Sequence, residues 1–368
     1  MNRRLFLRST TATVALALAG CGSASSKPGP FSGRELRMFV YAGGHDETIR
    51  QVFVPLFEAA TGANVTLFPG WWDGVPKLKT APSNNPPFDL LITDATQGYP
   101  AAKEGLFATI NFANIPSVKE LAPGALDNWI FRDAVGLPYP DSVMTLAFRK
   151  QTSQDDPQRW ADLLRPEFDH RLGLYSSFYM SLFTLAAMMA DADGKAGSAS
   201  MLMQQQPDEV FRFAKAQRGR VNLWWPNTTE MILALNDDRI GAGNMHSPEF
   251  LQVLKERPKL GGLVPQQDRA MVQVFWAIPA GSRNVDLAER ALDILFSDAV
   301  QSGFARRGMA TARPDTAAAI ANEDPVWKSL YPHTSEQFKN LKYYPYDFYA
   351  EHWDDFADRW DRSVLRDA

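Results

Sequence analysis

Strand-type and helix-type segments alternate at the start of this chain, and that order restricts the fold more than any other feature. Arg34 to Tyr41 (RELRMFVY) carries β-type residues and runs into a glycine turn at Ala42, Gly43 and Gly44, which predicts a first strand. From Thr48 to Thr61 the apolar residues Ile49, Val52, Phe53, Leu56 and Phe57 recur at spacings of three and four. This predicts a helix stopping at Gly62, with Pro55 confined to a kink or an end. Ala63 to Phe68 (ANVTLF) reads as a second strand, and Phe88 to Thr93 (FDLLIT) has the apolar run of a strand buried in a parallel sheet. Strand, helix and strand in that order call for a right-handed crossover, hence an α/β lobe.

Further along, two prolines in Leu137-Pro138-Tyr139-Pro140 force extended backbone, and Val143 to Phe148 follows as a strand leading elsewhere, a candidate crossover. Gln151 to Asp169 is polar, with Trp160 in a helical pattern. Leu172 to Ser176 predicts a short strand and Phe178 to Ala190 a largely buried helix, followed by a loop from Asp191 to Gly197. Helices are predicted near Ala199–Gln205, Asp208–Arg218, Thr228–Asn236, Leu287–Phe296 and Asp298–Arg306. Met271 to Ile278 (MVQVFWAI), ending at Pro279, is strongly β and is a candidate return strand to the first lobe. Near the C-terminus, Phe348, Trp353, Phe356 and Trp360 are spaced for one helical face, while Glu351, Asp354, Asp355, Asp358 and Asp361 form its wet side.

The 368 residues give a prior of two domains at roughly 150 residues each. With 38 Lys and Arg against 42 Asp and Glu there is no basic surplus to neutralise phosphates, so no nucleic-acid partner is expected. The N-terminus pairs Arg3 and Arg4, adds Arg8, and continues uncharged from Ser9 to Gly20, the layout of a signal peptide. Its apolar part is far shorter than the ~20 residues of a transmembrane helix. Leu18-Ala19-Gly20-Cys21 resembles a bacterial lipobox, whose cysteine is diacylated and becomes the first mature residue, and RRLFLR resembles a twin-arginine export signal. Residues 1–20 are thus read as signal peptide and 21–33 as a lipidated tether, which fully extended reaches roughly 40 Å. Cleavage leaves 35 basic against 42 acidic residues, a formal −7. Cys21 is the only cysteine, so lipidation removes the only thiol and with it cysteine nucleophiles and thiolate metal ligands.

No nucleophile elbow, phosphate loop, H-E-x-x-H helix or dinucleotide turn occurs. His45-Asp46-Glu47 is a possible metal cluster, but consecutive side chains diverge, and a polar loop is the simpler reading. Asp191, Asp193 and Gly194 lack the remaining spacing of a calcium loop and read as a solvated turn. Two adjacent indoles, Trp71 and Trp72, flanked by Pro69, Gly70 and Gly74, cannot readily both enter one core, so one is expected to line a cleft; Trp224-Trp225-Pro226 poses the same question.

Taken in order, VFVPLFEAATGANVTLF, FDLLITDATQGYPAAKEGLFATINFANIPSVKELAP, VGLPYPDSVMTLAF and PKLGGLVPQQDRAMVQVFWAIPAGSRNVDLAERALDILFS resemble the extracellular solute-binding proteins of ABC importers, in particular the spermidine/putrescine-binding group. The resemblance implies an α/β, two-lobed periplasmic-binding-protein fold of type II, each lobe a mostly parallel sheet with flanking helices. Lobe 1 would comprise 34–142 plus about 273–318, and lobe 2 143–272 plus about 319–368. It further implies a non-enzymatic monomer without cofactor or metal, lipid-anchored in a periplasmic or extracytoplasmic location, that passes a small-molecule ligand to ABC permease subunits. The implied ligand contacts are Tyr41, His45, Asp46, Trp72, Asp94, Tyr139, Ser176, His246 and Trp276. Where polyamine binders carry Trp and Asp before the A-I-P turn, this chain has Val272 and Val274, and neutral residues stand near Ser176, Ser177 and Met245. The ligand expected is therefore a small organic solute, polyamine-like or otherwise nitrogen-containing, held without those cation contacts. The alternative is a twin-arginine-exported, metal-assisted hydrolase built on His45, Asp46 and His246; a ligand-sensing lipoprotein is a third reading.

Overall fold

A computed structural model of the protein describes residues 29–150 and 155–366. The expected signal peptide, Cys21 and most of the expected tether lie outside the described residues. The end of the expected tether is not free: Phe31 packs on the core and its N–H donates to Thr61 O at 3.0 Å.

Nine strands share one continuous hydrogen-bonded system: β1 (Glu35–Tyr41), β2 (Asn64–Gly70), β3 (Leu90–Asp94), β4 (Leu137–Arg149), β5 (Leu172–Tyr175), β6 (Val221–Trp225), β7 (Ala242–His246), β8 (Leu260–Leu263) and β9 (Met271–Ala277). Their order is β2-β1-β3-β9-β4-β7-β5-β6, with β8 also on β4. Strands β1, β2 and β3 are parallel to one another, as are β5, β6 and β7; β4 and β9 run antiparallel to their neighbours. The molecule is thus an α/β protein of two lobes. Strand β4 belongs to both: Leu137 to Val143 pair with β9, whereas Met144 to Phe148 pair with β7. At the changeover the Val143 N–H donates to Ser247 Oγ at 3.0 Å.

The predicted first helix is broken in three, Gly44–Thr48, a π turn at Ile49–Phe53, and Val54–Thr61. Pro55 explains the break, because it lacks the N–H that would continue the helical ladder and is tolerated only in a first turn. Gly62 ends the helix in the left-handed region, φ 73°. His45-Asp46-Glu47 lies in the first helical segment, not in a loop. In the segment read as helical around Trp160 the described residues form two short 3-10 turns, Trp160–Leu164 and Pro166–Phe168. Asp191 is not a solvated turn residue: it ends a buried helix, Phe178–Ala192, and accepts from the Ala161 N–H at 3.0 Å and from Arg159 at 3.1 Å. Strands β6, β7 and β8 had no predicted strand as counterpart in the sequence.

In the second lobe, Asn244 is wholly buried and fully used. Its Oδ1 accepts from the Tyr175 N–H at 2.8 Å while its Nδ2 donates to Ser181 and Thr184, each at 3.1 Å, tying β5 and β7 to helix Phe178–Ala192. In the first lobe, helix Ala95–Lys103 sits on β9 through Gly98, where a Cβ would fall 2.2 Å from Phe275 Cζ. Gly98→Val is expected to destabilise the protein by about 3 kcal/mol through overpacking, read as a lower midpoint in urea unfolding.

Candidate functional site

The carboxyl ends of the parallel strands of both lobes converge. Strand β1 ends at Tyr41, β2 delivers Trp71 and Trp72, and β3 ends at Asp94; opposite them β5 ends at Tyr175, β6 at Trp225 and β7 at His246. Open parallel sheets place ligands outside these ends because the chain turns there into helices, leaving a crevice instead of a packed face. Here two such crevices face each other across a cavity of about 580 Å³, floored by Ser142 of β4 and by Val272 and Val274 of β9.

Asp94 is the most constrained polar group in it. As N-cap of helix Ala95–Lys103, its Oδ1 accepts from the Thr96 N–H at 2.8 Å, the Gln97 N–H at 3.2 Å and the Thr96 hydroxyl. Among the described residues no donor reaches Oδ2. Burial holds the Asp94 carboxyl above its ordinary range despite these bonds. Its charge reaches the other lobe: Tyr175 and Tyr179 have raised pKa values, first through burial and then through Asp94. Glu249, opposite, keeps accessible surface in the cleft, yet desolvation by the protein packed around it raises its pKa.

Among the described residues no Lys or Arg lines this cavity. His246 packs against Tyr175 at 5.3 Å and Trp225 at 5.8 Å, and burial lowers its pKa to about 4, so it is neutral at pH 7. The Trp225 ring is fully enclosed, and its Nε1–H meets no acceptor among the described residues. Tyr41 stacks on Trp71 at 5.8 Å, while Trp72 meets Tyr179 edge-on at 6.4 Å. Trp71 and Trp72 are both exposed, by 57% and 41%, so both indoles of the pair, not one, face the cleft.

Four residues named from sequence, Tyr41, Trp72, Asp94 and His246, line the cavity together. The others lie around it. His45 stands behind Tyr41, ring centroids 5.6 Å apart, and stacks on Trp276 at 6.1 Å; both its ring nitrogens are enclosed without a partner, and burial lowers its pKa to about 4. Trp276 follows Val272 and Val274 on the same face of β9 but reaches His45 instead of the cavity. Asp46 is turned away to Arg50 at 2.9 Å. Tyr139 is buried with its hydroxyl on Ala310 O at 3.1 Å, and Ser176 spends its backbone on Trp225 O and the Trp360 indole. Tyr175, Tyr179, Trp225 and Glu249 were not foreseen. For Tyr175 and Trp225 the signal available was position, since a residue ending a β strand before a helix points to the crevice; Tyr179 and Glu249 lie in the first turns of the helices that follow. Among the described residues no three His, Asp or Glu side chains gather as a metal site, and no helix is long and apolar enough to cross a membrane.

A family model described as bacterial extracellular solute-binding protein matches residues 54–331. Similar solved structures include a spermidine/putrescine ABC transporter substrate-binding protein from Streptococcus pneumoniae (17% identity, TM-score 0.70, covering 90% of this chain and 99% of that one). An ABC transporter substrate-binding protein from Bradyrhizobium japonicum has 16% identity and TM-score 0.69, covering 90% and 100%. A PBP of Agrobacterium tumefaciens C58 in an open unliganded conformation has 17% identity and TM-score 0.67, also covering 90% and 100%. No curated protein sequence matches the chain.

Both cleft histidines have folded pKa values near 4 against 6.5 when unfolded, so below pH 6.5 the unfolded chain binds more protons and stability falls, until about pH 4. Asp94 and Glu249, whose pKa values are raised, act with the opposite sign at the acidic end. Thermal melting from pH 7 to pH 4 should therefore fall less steeply in a His45→Gln, His246→Gln variant than in the parent; equal slopes would contradict the assignment.

Proposed function

The chain belongs to the bacterial extracellular solute-binding proteins, and on that basis we propose that it is the substrate-binding component of an ABC importer. The observation that carries this reading is the cavity itself. It gathers the carboxyl ends of six parallel strands from two lobes that are joined through the crossing strands β4 and β9. Interdomain clefts of this kind are preferred ligand sites, and hinge closure turns ligand contact into a shape a permease can recognise. The lobes divide near 142 and 273, lobe 1 taking 34–142 plus about 273–318 and lobe 2 the remainder.

The mature protein acts as a monomer outside the cytoplasm, tethered through lipid on Cys21 after export, which keeps it beside its permease subunits. A small organic solute, polyamine-like or otherwise nitrogen-containing, fits the two carboxylates and the aromatic walls, and the pneumococcal neighbour's title names spermidine and putrescine. The hydrolase reading is not favoured, because Asp46 is committed to Arg50 and, among the described residues, no ligand set forms around His45 or His246.

Thermal-shift and calorimetric titration of the purified mature protein against polyamines, opines, amino-phosphonates and sugars should find a ligand that raises Tm and lowers the radius of gyration; silence across all four classes would sink the transport reading. Trp72→Ala is expected to weaken that ligand at least about tenfold with little change in the unliganded Tm. Cys21→Ser should move the protein from the membrane to the soluble fraction of cells; unchanged fractionation would rule out the anchor.

A further inference from the structure

The transport reading of the cleft, on which this inference rests, leaves open which part of a solute joins the two lobes. From the first lobe, Asp94 lines the cavity while only 8% exposed. Its Oδ1 has taken three donors, whereas Oδ2 meets none among the described residues and is not enclosed. From the second lobe, Tyr175 at the end of β5 and Tyr179, four residues on, line the same cavity. Their main chains are spent: the Tyr175 N–H donates to Asn244 Oδ1 at 2.8 Å, and the carbonyls of Tyr175 and Tyr179 accept from Ser181 at 2.6 Å and Tyr349 at 2.7 Å. Their rings are fixed, Tyr175 against Trp225 at 4.5 Å and Tyr179 against Trp353 at 5.9 Å. What remains is two hydroxyls. Neither has a hydrogen-bond partner among the described residues, and neither is sealed off as the Tyr343 hydroxyl is. With Tyr179 only 4% exposed and lining this cavity, the surface its hydroxyl keeps opens there.

The Asp94 charge adds to burial in raising the pKa of both phenols, so carboxylate and hydroxyls share one electrostatic neighbourhood. A solute group that meets all three has to offer donors, and a positive charge on it favours the ionised carboxylate. A primary ammonium presents three N–H groups, one for each open oxygen, and a phenol oxygen can accept from it. A guanidinium pairs best with a carboxylate whose two oxygens are both free, and Asp94 Oδ1 is already filled. A quaternary ammonium has no N–H and could use only the ring faces.

We propose that a primary ammonium of the solute sits between the lobes, donating to Asp94 Oδ2 on one side and to the Tyr175 and Tyr179 hydroxyls on the other, and that this shared contact holds the cleft closed. The test is calorimetric titration of the mature protein with matched pairs: butylamine beside butyltrimethylammonium, phenethylamine beside its N-trimethyl derivative, and 1,4-diaminobutane beside its fully N-methylated derivative. In at least one pair the primary amine should bind about tenfold more tightly. Tyr175→Phe and Tyr179→Phe keep the rings; each should weaken that amine about fivefold and leave its methylated partner unchanged. In small-angle scattering, saturating amine should lower the radius of gyration of the parent but not of the Tyr175→Phe, Tyr179→Phe double variant. Equal or tighter binding of the quaternary cations, tyrosine variants that bind and compact like the parent, or no binding by any amine would overturn the proposal. Should sugars titrate into the cleft instead, the transport reading would survive and this inference would not; if no class binds, both fall.

Discussion

The backbone pairing of β4 with β9 is the constraint on which the rest of the molecule depends. Leu137 to Val143 pair with Trp276 to Met271, and beyond that point β4 leaves for β7 and β8. A strand that contributes its first half to one sheet and its second half to another makes the two sheets continuous, yet leaves their parallel portions free to face each other. Two prolines in the first half, Pro138 and Pro140, are compatible with extended backbone, although each removes a donor from the ladder. The register also fixes chemistry: Asp94 is paired with Val274 on β9, so the buried carboxylate is set against an apolar floor.

That placement decides the character of the cavity. A carboxylate beside valines has no local cation to neutralise it, and its stability rests on the helix it caps, through three donors to Oδ1 and the positive end of the helix dipole. Burial still wins, since its pKa is raised. A cation arriving beside Asp94 would offset that desolvation and favour the ionised carboxylate, which neutral molecules of the same shape cannot do. The neutral histidines follow from the same environment, for a protonated imidazole in the wall would itself be the counter-ion.

How much of this was legible in the sequence depended on the range of the forces involved. The strands β1, β2, β3 and β9 and the helices Thr228–Asn236 and Asp298–Arg306 follow from local periodicity and were readable to within a residue or two. Strand β8 (LGGL) has no such signal, because two glycines carry no side chain to pattern; it exists because Gly261 and Gly262 let Phe148 and Phe250 approach closely. Of the cleft residues, Trp72 was legible as one of an adjacent indole pair, and Tyr41, Asp94 and His246 through the family resemblance. Tyr139 and Ser176 were misplaced for a reason no one-dimensional pattern carries: their polar groups bind Ala310, Trp225 and Trp360, residues distant in sequence that the tertiary fold brings near. Glu249 was hidden because a glutamate in a first helical turn has the usual appearance of a solvated one.

Helix Tyr346–Trp360 sets a limit on the proposed closure that the strands alone do not. Its Tyr346 hydroxyl accepts from the Gln273 N–H on β9 at 2.8 Å, its Tyr349 hydroxyl donates to Tyr179 O at 2.7 Å, and its Trp360 indole donates to Ser176 O at 2.8 Å. All three side chains are buried, so breaking these bonds would strand polar groups away from water. The same helix also packs on helix Ala95–Lys103 of the first lobe and there meets the exposed Trp72 through Trp353, 6.0 Å apart, a contact of ring on ring without a hydrogen bond. A ring contact slides at far lower cost than a buried hydrogen bond breaks. The C-terminal helix is therefore tied by buried hydrogen bonds both to β9 in the first lobe and to Tyr179 and Ser176 in the second, so a movement of Trp72 between Trp353 and Tyr179 costs less than a movement of the helix itself. The Gln97 amide, which donates to Trp72 O at 3.0 Å from the helix capped by Asp94, ties that movement to the carboxylate at the centre of the cleft.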